Sequence, residues 1–248
     1  MMDIRALIFD INGTLIDIET DERMEQAYRA VAHFLTYQGI RMHRQDALSL
    51  YFEIMKEQFD RHKETFPEFD VVAIWREVLA RRANDFTRSL PPAKLQQIPL
   101  FLAELHRGIC RKRLSLFPGV LEALDDLKER YRLAVVSDAQ SAFAVPELRA
   151  VGLHEYFDPV IISGDYGYRK PDPRLFRKAL DRLQVPPAQA IFIGNDCYRD
   201  IFGARQLGMK TILFRHDQDM PSPNETQPDY LIREFTELPK AVSFFTTS

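Results

Sequence analysis

The sequence predicts an α/β protein in which one mostly parallel sheet is interrupted by an all-helical insertion. Short apolar strands alternate with amphipathic helices after residue 117, an order typical of parallel strands joined by right-handed crossovers. Another strand of the same type lies near the N-terminus, and a long stretch of helical pattern separates it from the others. We therefore predict a discontinuous core of residues 1–16 and 114–248, with residues 17–113 as a helical domain.

The first predicted strand is the apolar run Ala6–Asp10, which ends in a carboxylate. An unbroken apolar run is typical of a parallel strand that is buried on both faces. Asn12-Gly13-Thr14 then breaks the strand, so Asp10 would lie at the sheet edge where open α/β sheets bind ligands. Asp10 is therefore a candidate nucleophile. A strand-ending aspartate before an ordinary Asn-Gly turn is the alternative interpretation.

The insertion contains four predicted amphipathic helices and no catalytic motif of its own. Apolar residues recur at helical spacing from Met24 to Leu35 and from Ala47 to Phe59. Asp70 is a plausible N-cap for a third helix, and Pro91-Pro92 precede a fourth from about Ala93 to Cys110. Each helix would bury one apolar stripe.

The region from Pro118 onward supplies the remaining strands of the predicted sheet. A predicted helix from Gly119 to Arg130 is followed by apolar runs bounded by turn residues, which indicate strands. These runs are Leu133–Val136, Val160–Ser163, Ala190–Gly194, Thr211–Phe214 and the weaker Tyr230–Ile232.

Polar groups follow several of these strands. Ser137-Asp138 follows the second strand, and Ser137 is either a hydroxyl donor for a ligand or a turn residue. Lys170 stands before Pro171 and a predicted helix start, so it is either held beside an anion-binding helix N-terminus or a solvated surface lysine. Asp200 follows the strand that ends at Gly194, and it could bind a ligand or cap the next helix.

Composition excludes several classes of function. The formal net charge of -3 gives no overall positive potential that would attract nucleic acid or an anionic membrane, so we expect neither as a partner. Cys110 and Cys197 form no CxxC pair, and the six histidines show no HxH or HExxH spacing, so no disulfide framework or thiolate or histidine metal centre is indicated. No leader segment or membrane span is apparent, and we predict a soluble, cytoplasmic protein.

The motifs together resemble those of the haloacid dehalogenase-like (HAD) hydrolase superfamily and occur in the same order. The resemblance covers the whole chain and implies a Rossmann-like core, and the helical insertion looks like the α-helical (type 1) cap of that superfamily. The matching segments are DINGT at Asp10–Thr14, VVSD at Val135–Asp138, RKPDPRLF at Arg169–Phe176 and FIGNDCYRDIFGARQLGM at Phe192–Met209.

The resemblance also implies a role for each matched residue in the hydrolysis of a small phosphorylated metabolite. Asp10 would be the nucleophile that forms an aspartyl-phosphate, while Ser137 and Lys170 would bind the phosphate beside Thr14 and Asp138. Mg²⁺ is the implied cofactor, and oxygen ligands suit this hard cation. Its ligands would come from Asp10, the main chain at Asn12 and Asp200, with Asn195 or Asp196 assisting.

Asn12 is the main departure from the family pattern. Phosphatases of the family usually carry a second aspartate at this position, which protonates the leaving alkoxide, whereas an amide cannot exchange a proton near neutral pH. Three hypotheses therefore stay open. The protein is a Mg²⁺-dependent phosphatase, a 2-haloacid dehalogenase, or a non-catalytic ligand-binding or regulatory protein. A dehalogenase expels halide and needs no acid, although those enzymes place an aromatic residue at this position and do not require Mg²⁺.

Overall fold

The computed structural model describes residues 3–216 and 225–247. The other residues of the predicted core, 1–2, 217–224 and 248, lie outside the described residues. The strands are β1 (Ala6–Phe9), β2 (Ile16–Thr20), β3 (Arg111–Leu116), β4 (Arg132–Ser137), β5 (Val160–Ile162), β6 (Ala190–Gly194), β7 (Lys210–Phe214) and β8 (Tyr230–Ile232). The helices are α1 (Glu25–Tyr37), α2 (Arg44–Arg61), α3 (Val71–Arg82), α4 (Asp85–Arg88), α5 (Pro92–Cys110), α6 (Val120–Lys128), α7 (Ser141–Ala150), α8 (Pro173–Leu183), α9 (Gly203–Arg205) and α10 (Leu238–Thr247).

Six parallel strands form the main sheet in the order β5-β4-β1-β6-β7-β8. The first strand lies at the centre, where Phe9 is in register with Val135 of β4 and with Ile193 of β6. The prediction that the N-terminal strand joins the later strands across the insertion is therefore confirmed.

Both faces of this sheet are buried, as the unbroken apolar run of β1 predicts. Leu7 and Phe9 belong to an apolar cluster that includes side chains of α6 and α10. Ala6 and Ile8 belong to a second cluster that includes side chains of α8. Helices thus cover the two faces, and the predicted α/β fold class is confirmed.

Four longer helices and the short α4 form what we call the helical segment, Glu25–Cys110. Its large side chains pack in a separate apolar cluster, which Phe143 of α7 also joins. In this cluster Trp75 and Tyr51 are fully buried and lie with ring centroids 5.0 Å apart. The four predicted helices are present, and Asp70 caps α3 by accepting a hydrogen bond from the Ala73 amide at 2.8 Å. The sequence analysis missed α4, because four residues are too short to show a helical period.

The two chain connections between the helical segment and the sheet pair with each other as the antiparallel ribbon β2–β3. The ribbon was not predicted, because its exposed positions are charged and the strands therefore lack an apolar run. Arg113 holds the two strands together through Asp17 at 2.8 Å and Glu19 at 2.9 Å. Both predicted domain boundaries fall within this ribbon. Among the helices described, none is long and apolar enough to cross a membrane.

Candidate active site

The candidate site lies where three adjacent strands, β4, β1 and β6, reach their carboxyl ends. Asp10 directly follows β1, Ser137 is the last residue of β4, and Asp200 comes from the turn that follows β6. Parallel strands point their carboxyl ends the same way, so residues distant in sequence meet at one sheet edge. Lys170 reaches this edge from the loop between β5 and α8.

Asp10 is buried, with 5% of its surface exposed, and its two oxygens have different surroundings. Oδ1 accepts hydrogen bonds from Ser137 Oγ at 2.9 Å and from Lys170 Nζ at 2.7 Å. Oδ2 has one long contact, with Thr14 Oγ1 at 3.4 Å. The carboxylate is therefore oriented through one oxygen, while the other is weakly held.

Lys170 lies between two carboxylates. Its Nζ donates to Asp10 Oδ1 and, at 2.6 Å, to Asp200 Oδ1, and the side chain is 3% exposed. Burial alone would lower the pKa of this lysine, but the charges of Asp10 and Asp200 outweigh it and raise the pKa above its ordinary value. The buried ammonium group is therefore held between two carboxylates that favour its charged form.

Asp200 is held through one oxygen by the Lys170 ammonium group and through the other by backbone amides. Its Oδ2 accepts hydrogen bonds from the amides of Asn195 and Asp196, both at 3.0 Å. Burial raises the pKa of Asp200 to about 6, although the charge of Lys170 opposes the rise. A Cβ atom on Gly194 would lie 2.4 Å from Asp200 Oδ2, so the glycine leaves the space that this carboxylate occupies.

Asp196, rather than Asp200, caps the turn that follows β6. Its Oδ1 accepts hydrogen bonds from the amides of Tyr198 and Arg199, and its Oδ2 accepts one from the Arg199 side chain at 2.8 Å. Asn195 contacts the other side of the site, since its Oδ1 accepts a hydrogen bond from Thr14 Oγ1 at 3.1 Å. Of the two predicted assisting ligands, Asn195 therefore faces the Asp10 loop and Asp196 serves its own turn.

Asn12 and Asp138 each place a buried oxygen at the site that receives no hydrogen bond from the described residues. These atoms are Asn12 Oδ1 and Asp138 Oδ2. The other oxygen of Asp138 accepts a hydrogen bond from the Lys170 amide at 2.9 Å. Burial raises the pKa of Asp138, and the charge of Lys170 opposes the rise.

A cavity of about 400 Å³ lies beside these residues, between the sheet and the helical segment. Asn12 and Asp138 line it from the sheet side. Its apolar wall includes Tyr51, Phe52, Met55, Phe69 and Phe143, and its charged lining is Glu22, Glu68, Arg107, Arg169 and Arg199. The sequence analysis did not identify the contributors from the helical segment, because they are scattered over helices and loops without a shared motif.

Among the polar contacts that join the helical segment to the sheet domain, three involve side chains that line this cavity. Glu68 Oε2 accepts a hydrogen bond from Ser163 Oγ at 2.8 Å, and burial raises the pKa of this carboxyl group. The buried Gln140 side chain accepts from the Val71 amide and donates to the Phe69 carbonyl. The third contact is an ion pair between Arg107 and Glu147, with Nε and Oε1 2.7 Å apart. The cavity is therefore closed over by specific contacts.

Glu22, His106 and Cys110 also lie close together, with their ligand atoms within 4.8 Å of one another. Cys110 Sγ is 3.5 Å from His106 Nε2, whereas Glu22 Oε2 is 3.7 Å from Nδ1, so the two neighbours face opposite ring nitrogens. Burial raises the pKa of the Cys110 thiol to about 12 and lowers that of His106. A single ring nitrogen of His106 therefore faces only one of these two neighbours.

The chain is similar to known proteins in sequence and in structure. The family described as haloacid dehalogenase-like hydrolase matches residues 4–208. Among relatives, a glyceraldehyde 3-phosphate phosphatase of Methanothermobacter thermautotrophicus is 29% identical over 85% of this chain and 85% of its own. A phosphoserine phosphatase of Thermus thermophilus is also 29% identical, over 69% of this chain and 68% of its own.

Among solved structures, a 2-haloacid dehalogenase from Pseudomonas syringae superposes with a TM-score of 0.73 at 25% identity, covering 98% of this chain and 99% of that one. A HAD phosphatase from Thermococcus onnurineus gives a TM-score of 0.58 at 23% identity, covering 96% and 98% of the two chains, and supports the fold alone.

Proposed function

Because the chain belongs to the haloacid dehalogenase-like hydrolase family, we propose that it is a phosphatase of a small phosphorylated metabolite and that Asp10 is its nucleophile. The observation that carries this proposal is the asymmetric environment of Asp10. One oxygen is fixed by Ser137 and Lys170, while Oδ2 is weakly held and can attack. A nucleophile held in one orientation removes much of the entropic barrier to attack.

The groups that surround Asp10 suit the charge of a phosphoryl group. Transfer of a phosphoryl group depends mainly on positioning and on neutralising its oxygens. The Lys170 ammonium and the Ser137 hydroxyl lie within hydrogen-bond distance of Asp10, so a phosphorus atom bound at Oδ2 would bring its oxygens near them. Both residues would therefore bind the phosphoryl group as well as orient the carboxylate.

The oxygen chemistry at the site fits Mg²⁺, the cofactor that we propose. Asn12 Oδ1 is buried without a hydrogen-bond donor among the described residues, so this hard ligand atom has capacity to spare. Asp10 and the residue-12 position would hold the ion, with Asp200 and Asn195 supporting it. When bound, the ion would supply positive charge that offsets the repulsion between a carboxylate nucleophile and a phosphate ester.

Two displacements complete the proposed reaction. Asp10 Oδ2 forms a bond to phosphorus as the bond between phosphorus and the ester oxygen breaks, which leaves an aspartyl-phosphate. Water then attacks the phosphorus, the bond to Asp10 breaks, and inorganic phosphate leaves with the carboxylate restored. The leaving alkoxide needs a proton in the first step, and the Asn12 amide cannot provide it.

The cavity indicates a small substrate. Its volume of about 400 Å³ suits a compact metabolite, and its lining of aromatic side chains and arginines would contact an apolar or an anionic part of the leaving group. The relatives named above act, by their names, on glyceraldehyde 3-phosphate and on phosphoserine. We propose a substrate of this small size, with the helical segment as the cap that encloses it. The cytoplasmic location stays a prediction.

A turnover screen tests the proposal. Purified protein would be assayed for phosphate release from a panel of small phosphate monoesters, with MgCl₂ and with EDTA. We expect at least one alkyl ester to be hydrolysed with MgCl₂ and activity to fall to background with EDTA. Absence of phosphate release from every ester, with saturable binding of phosphate to the folded protein, would instead support a ligand-binding protein.

Dehalogenation is the second candidate, and two observations favour it. Halide departs without a proton, which suits the amide at Asn12, and the superposition on the 2-haloacid dehalogenase covers nearly the whole chain. Incubation with 2-chloropropionate and EDTA, followed by chloride detection, separates the two reactions. Chloride release without metal and no phosphate release with metal would favour the dehalogenase.

A further inference from the structure

We infer that Asp138 is the acid and base of the proposed phosphatase reaction, in the role that Asn12 cannot fill. This inference rests on the proposed function and assigns a residue to its missing proton transfer. The position of Asp138 follows from the fold, because it comes directly after β4, the strand beside β1. Asp138 and Asn12 line the same cavity.

Asp138 differs from the other acidic groups of the cavity lining in its hydrogen bonds. Glu22 accepts from Arg107 Nη1 at 2.9 Å. Both oxygens of Glu68 are used, by the Phe69 amide and by Ser163 Oγ. Asp138 Oδ2, in contrast, receives no hydrogen bond from the described residues. It is therefore the carboxyl oxygen of the lining that is best able to carry and release a proton.

The remaining contacts of Asp138 suit such a role. Oδ1 is held by the Lys170 amide, which fixes the carboxyl group and leaves Oδ2 as the atom that exchanges the proton. The nearest cation to Oδ2 is Arg199, whose Nη1 is 3.9 Å away and beyond hydrogen-bond distance. A buried oxygen without a donor is costly as an anion, whereas a protonated carboxyl group becomes a donor itself.

The charged groups that face Asp138 come from four parts of the chain and act in both directions. Asp10 after β1 and the acidic Glu68 of the helical segment favour its neutral form, while Lys170 and Arg199 favour its anion. Burial is the largest influence and raises the pKa of Asp138. Burial and the two neighbouring carboxyl groups therefore act in the direction of the neutral acid, against the two cations.

The proton balance closes over the two steps. As the ester bond breaks, Asp138 gives its proton to the leaving oxygen and becomes a carboxylate. In the second step it takes a proton from the attacking water, whose oxygen bonds to phosphorus as the bond to Asp10 breaks. Phosphate and alcohol are released, and both aspartates return to their initial states.

The test compares two leaving groups in matched variants. An alkyl phosphate leaves as a strongly basic alkoxide and needs the proton, whereas p-nitrophenyl phosphate leaves as a stable phenolate. We expect Asp138→Asn to lower kcat/KM for the best alkyl ester of the screen by roughly 10²- to 10⁴-fold, as is usual for loss of a general acid, and to change kcat/KM for p-nitrophenyl phosphate far less. The comparison uses kcat/KM because it reports the step in which the ester bond breaks, whereas kcat also contains the second step, which is common to both esters. Glu68→Gln is the matched control, and it should change both values by a similar factor.

Rescue distinguishes proton transfer from a structural role. Asn12→Asp should restore much of the alkyl ester turnover in the Asp138→Asn background and add little to the wild type, because one acid is sufficient. Equal losses of kcat/KM for the two esters in Asp138→Asn, or no rescue, would overturn the inference and leave the phosphatase function intact. Wild-type hydrolysis of p-nitrophenyl phosphate alone would overturn it as well.

A pH profile keeps the test valid if Asp138→Asn does not fold. In the wild type, kcat/KM for the alkyl ester should fall at high pH, where the acid has lost its proton, and the profile for p-nitrophenyl phosphate should lack this limb. Identical limbs for the two esters would contradict the role of Asp138. If the wild type hydrolyses neither ester, the proposed function itself fails, and the inference fails with it.

Discussion

At the residue scale, the two oxygens of Asp10 have separate tasks. Oδ1 binds the groups that orient the side chain, and Oδ2 is the atom proposed to attack. An asparagine can keep the contacts of Oδ1 through its own carbonyl oxygen, but its amide nitrogen is not a nucleophile. Substitution at this position therefore separates folding from chemistry.

We predict that Asp10→Asn abolishes turnover of every ester hydrolysed by the wild type, measured by phosphate release. Its circular dichroism spectrum and Tm should stay near those of the wild type, because the amide has the same size as the carboxylate. Asp46→Asn, at an exposed position on α2, is the control for loss of one negative charge. Retention of most activity in folded Asp10→Asn would contradict the assignment of the nucleophile.

Glu68 gives a prediction for pH. Its folded-state pKa is raised above the ordinary value of 4.5, first by burial, so the folded protein favours the neutral acid. The resulting stability is present below the unfolded pKa and is lost as pH rises through the folded pKa. Glutamine mimics the neutral acid and should accept from the Phe69 amide while donating to Ser163 Oγ, which already contacts the Ala139 carbonyl.

We therefore predict that the Tm of Glu68→Gln, relative to the wild type, is higher at pH 8 than at pH 5. Thermal unfolding followed by circular dichroism at the two pH values measures this difference. Glu104→Gln, at an exposed position on α5, removes the same charge and should show a smaller dependence on pH. A difference that is the same at both pH values would show that Glu68 does not titrate differently on folding.

Which site residues could be predicted from sequence depends on how each is positioned. Asp10, Ser137 and Asp200 lie together because each is attached to the end of a recognisable buried strand. The role of Glu68 and the free oxygen of Asp138 depend on packing between distant segments, which no local spacing records. The sequence also does not show that Asp196 serves its own turn, since both acidic residues after Gly194 could equally act as caps.

At the element scale, the N-terminus of α3 depends on a side chain from the sheet domain. Gln140, 5% exposed, accepts from the Val71 amide at 3.0 Å and donates to the Phe69 carbonyl at 2.7 Å. Asp70 satisfies a different amide of the same helix, that of Ala73. Two caps from different parts of the chain therefore hold one helix start against the cavity.

We predict that Gln140→Ala destabilises the protein by about 1 to 3 kcal/mol, because it leaves a buried donor and a buried acceptor without partners. Amide hydrogen exchange should also accelerate at Val71. The matched control is Gln189→Ala, which removes an exposed contact with Asp3 and should have little effect on either measurement. Unchanged exchange at Val71 would mean that solvent satisfies these groups equally well.

Which strands and helices could be predicted depends on whether each has a recognisable pattern in its own sequence. Buried strands are visible as short apolar runs and amphipathic helices by their helical period, neither of which needs tertiary context, and these were predicted correctly. The β2–β3 ribbon has no such period, because its stability comes from pairing between residues that are far apart in sequence, such as Ile16 and Leu116. Its charged residues were consistent with a connection of any shape.

At the scale of the whole molecule, the helical segment meets the sheet domain through polar contacts around a cavity, through Phe143 of α7, which packs in its apolar cluster, and through the β2–β3 ribbon. Polar contacts exchange readily with water, and a two-stranded connection can bend, so this arrangement suits closure over a bound substrate. The ion pair between Arg107 and Glu147 and the contact between Glu68 and Ser163 would both break on opening. The structure shows them formed.

We predict that Mg²⁺ with fluoroberyllate, a mimic of a phosphoryl group on an aspartate, slows amide exchange at Glu68 and Val71. Small-angle scattering should show a smaller radius of gyration under the same conditions. Asp10→Asn is the control, because it lacks the carboxylate that the mimic requires and should show neither change. If the wild type also shows neither change, the helical segment is fixed in place and does not act as a moving cap.

The central position of β1 also determines the order in which the molecule can be assembled during translation. Ala6 pairs with Arg132 of β4 on one side and with Ala190 of β6 on the other. The first strand to leave the ribosome therefore stays unpaired until both neighbouring strands have been synthesised. The apolar cluster of the helical segment comes from residues made before β4, apart from Phe143, so that segment can fold during the wait. Chains released before Gly194 would expose an apolar strand with an unpaired edge, the type of surface that drives aggregation.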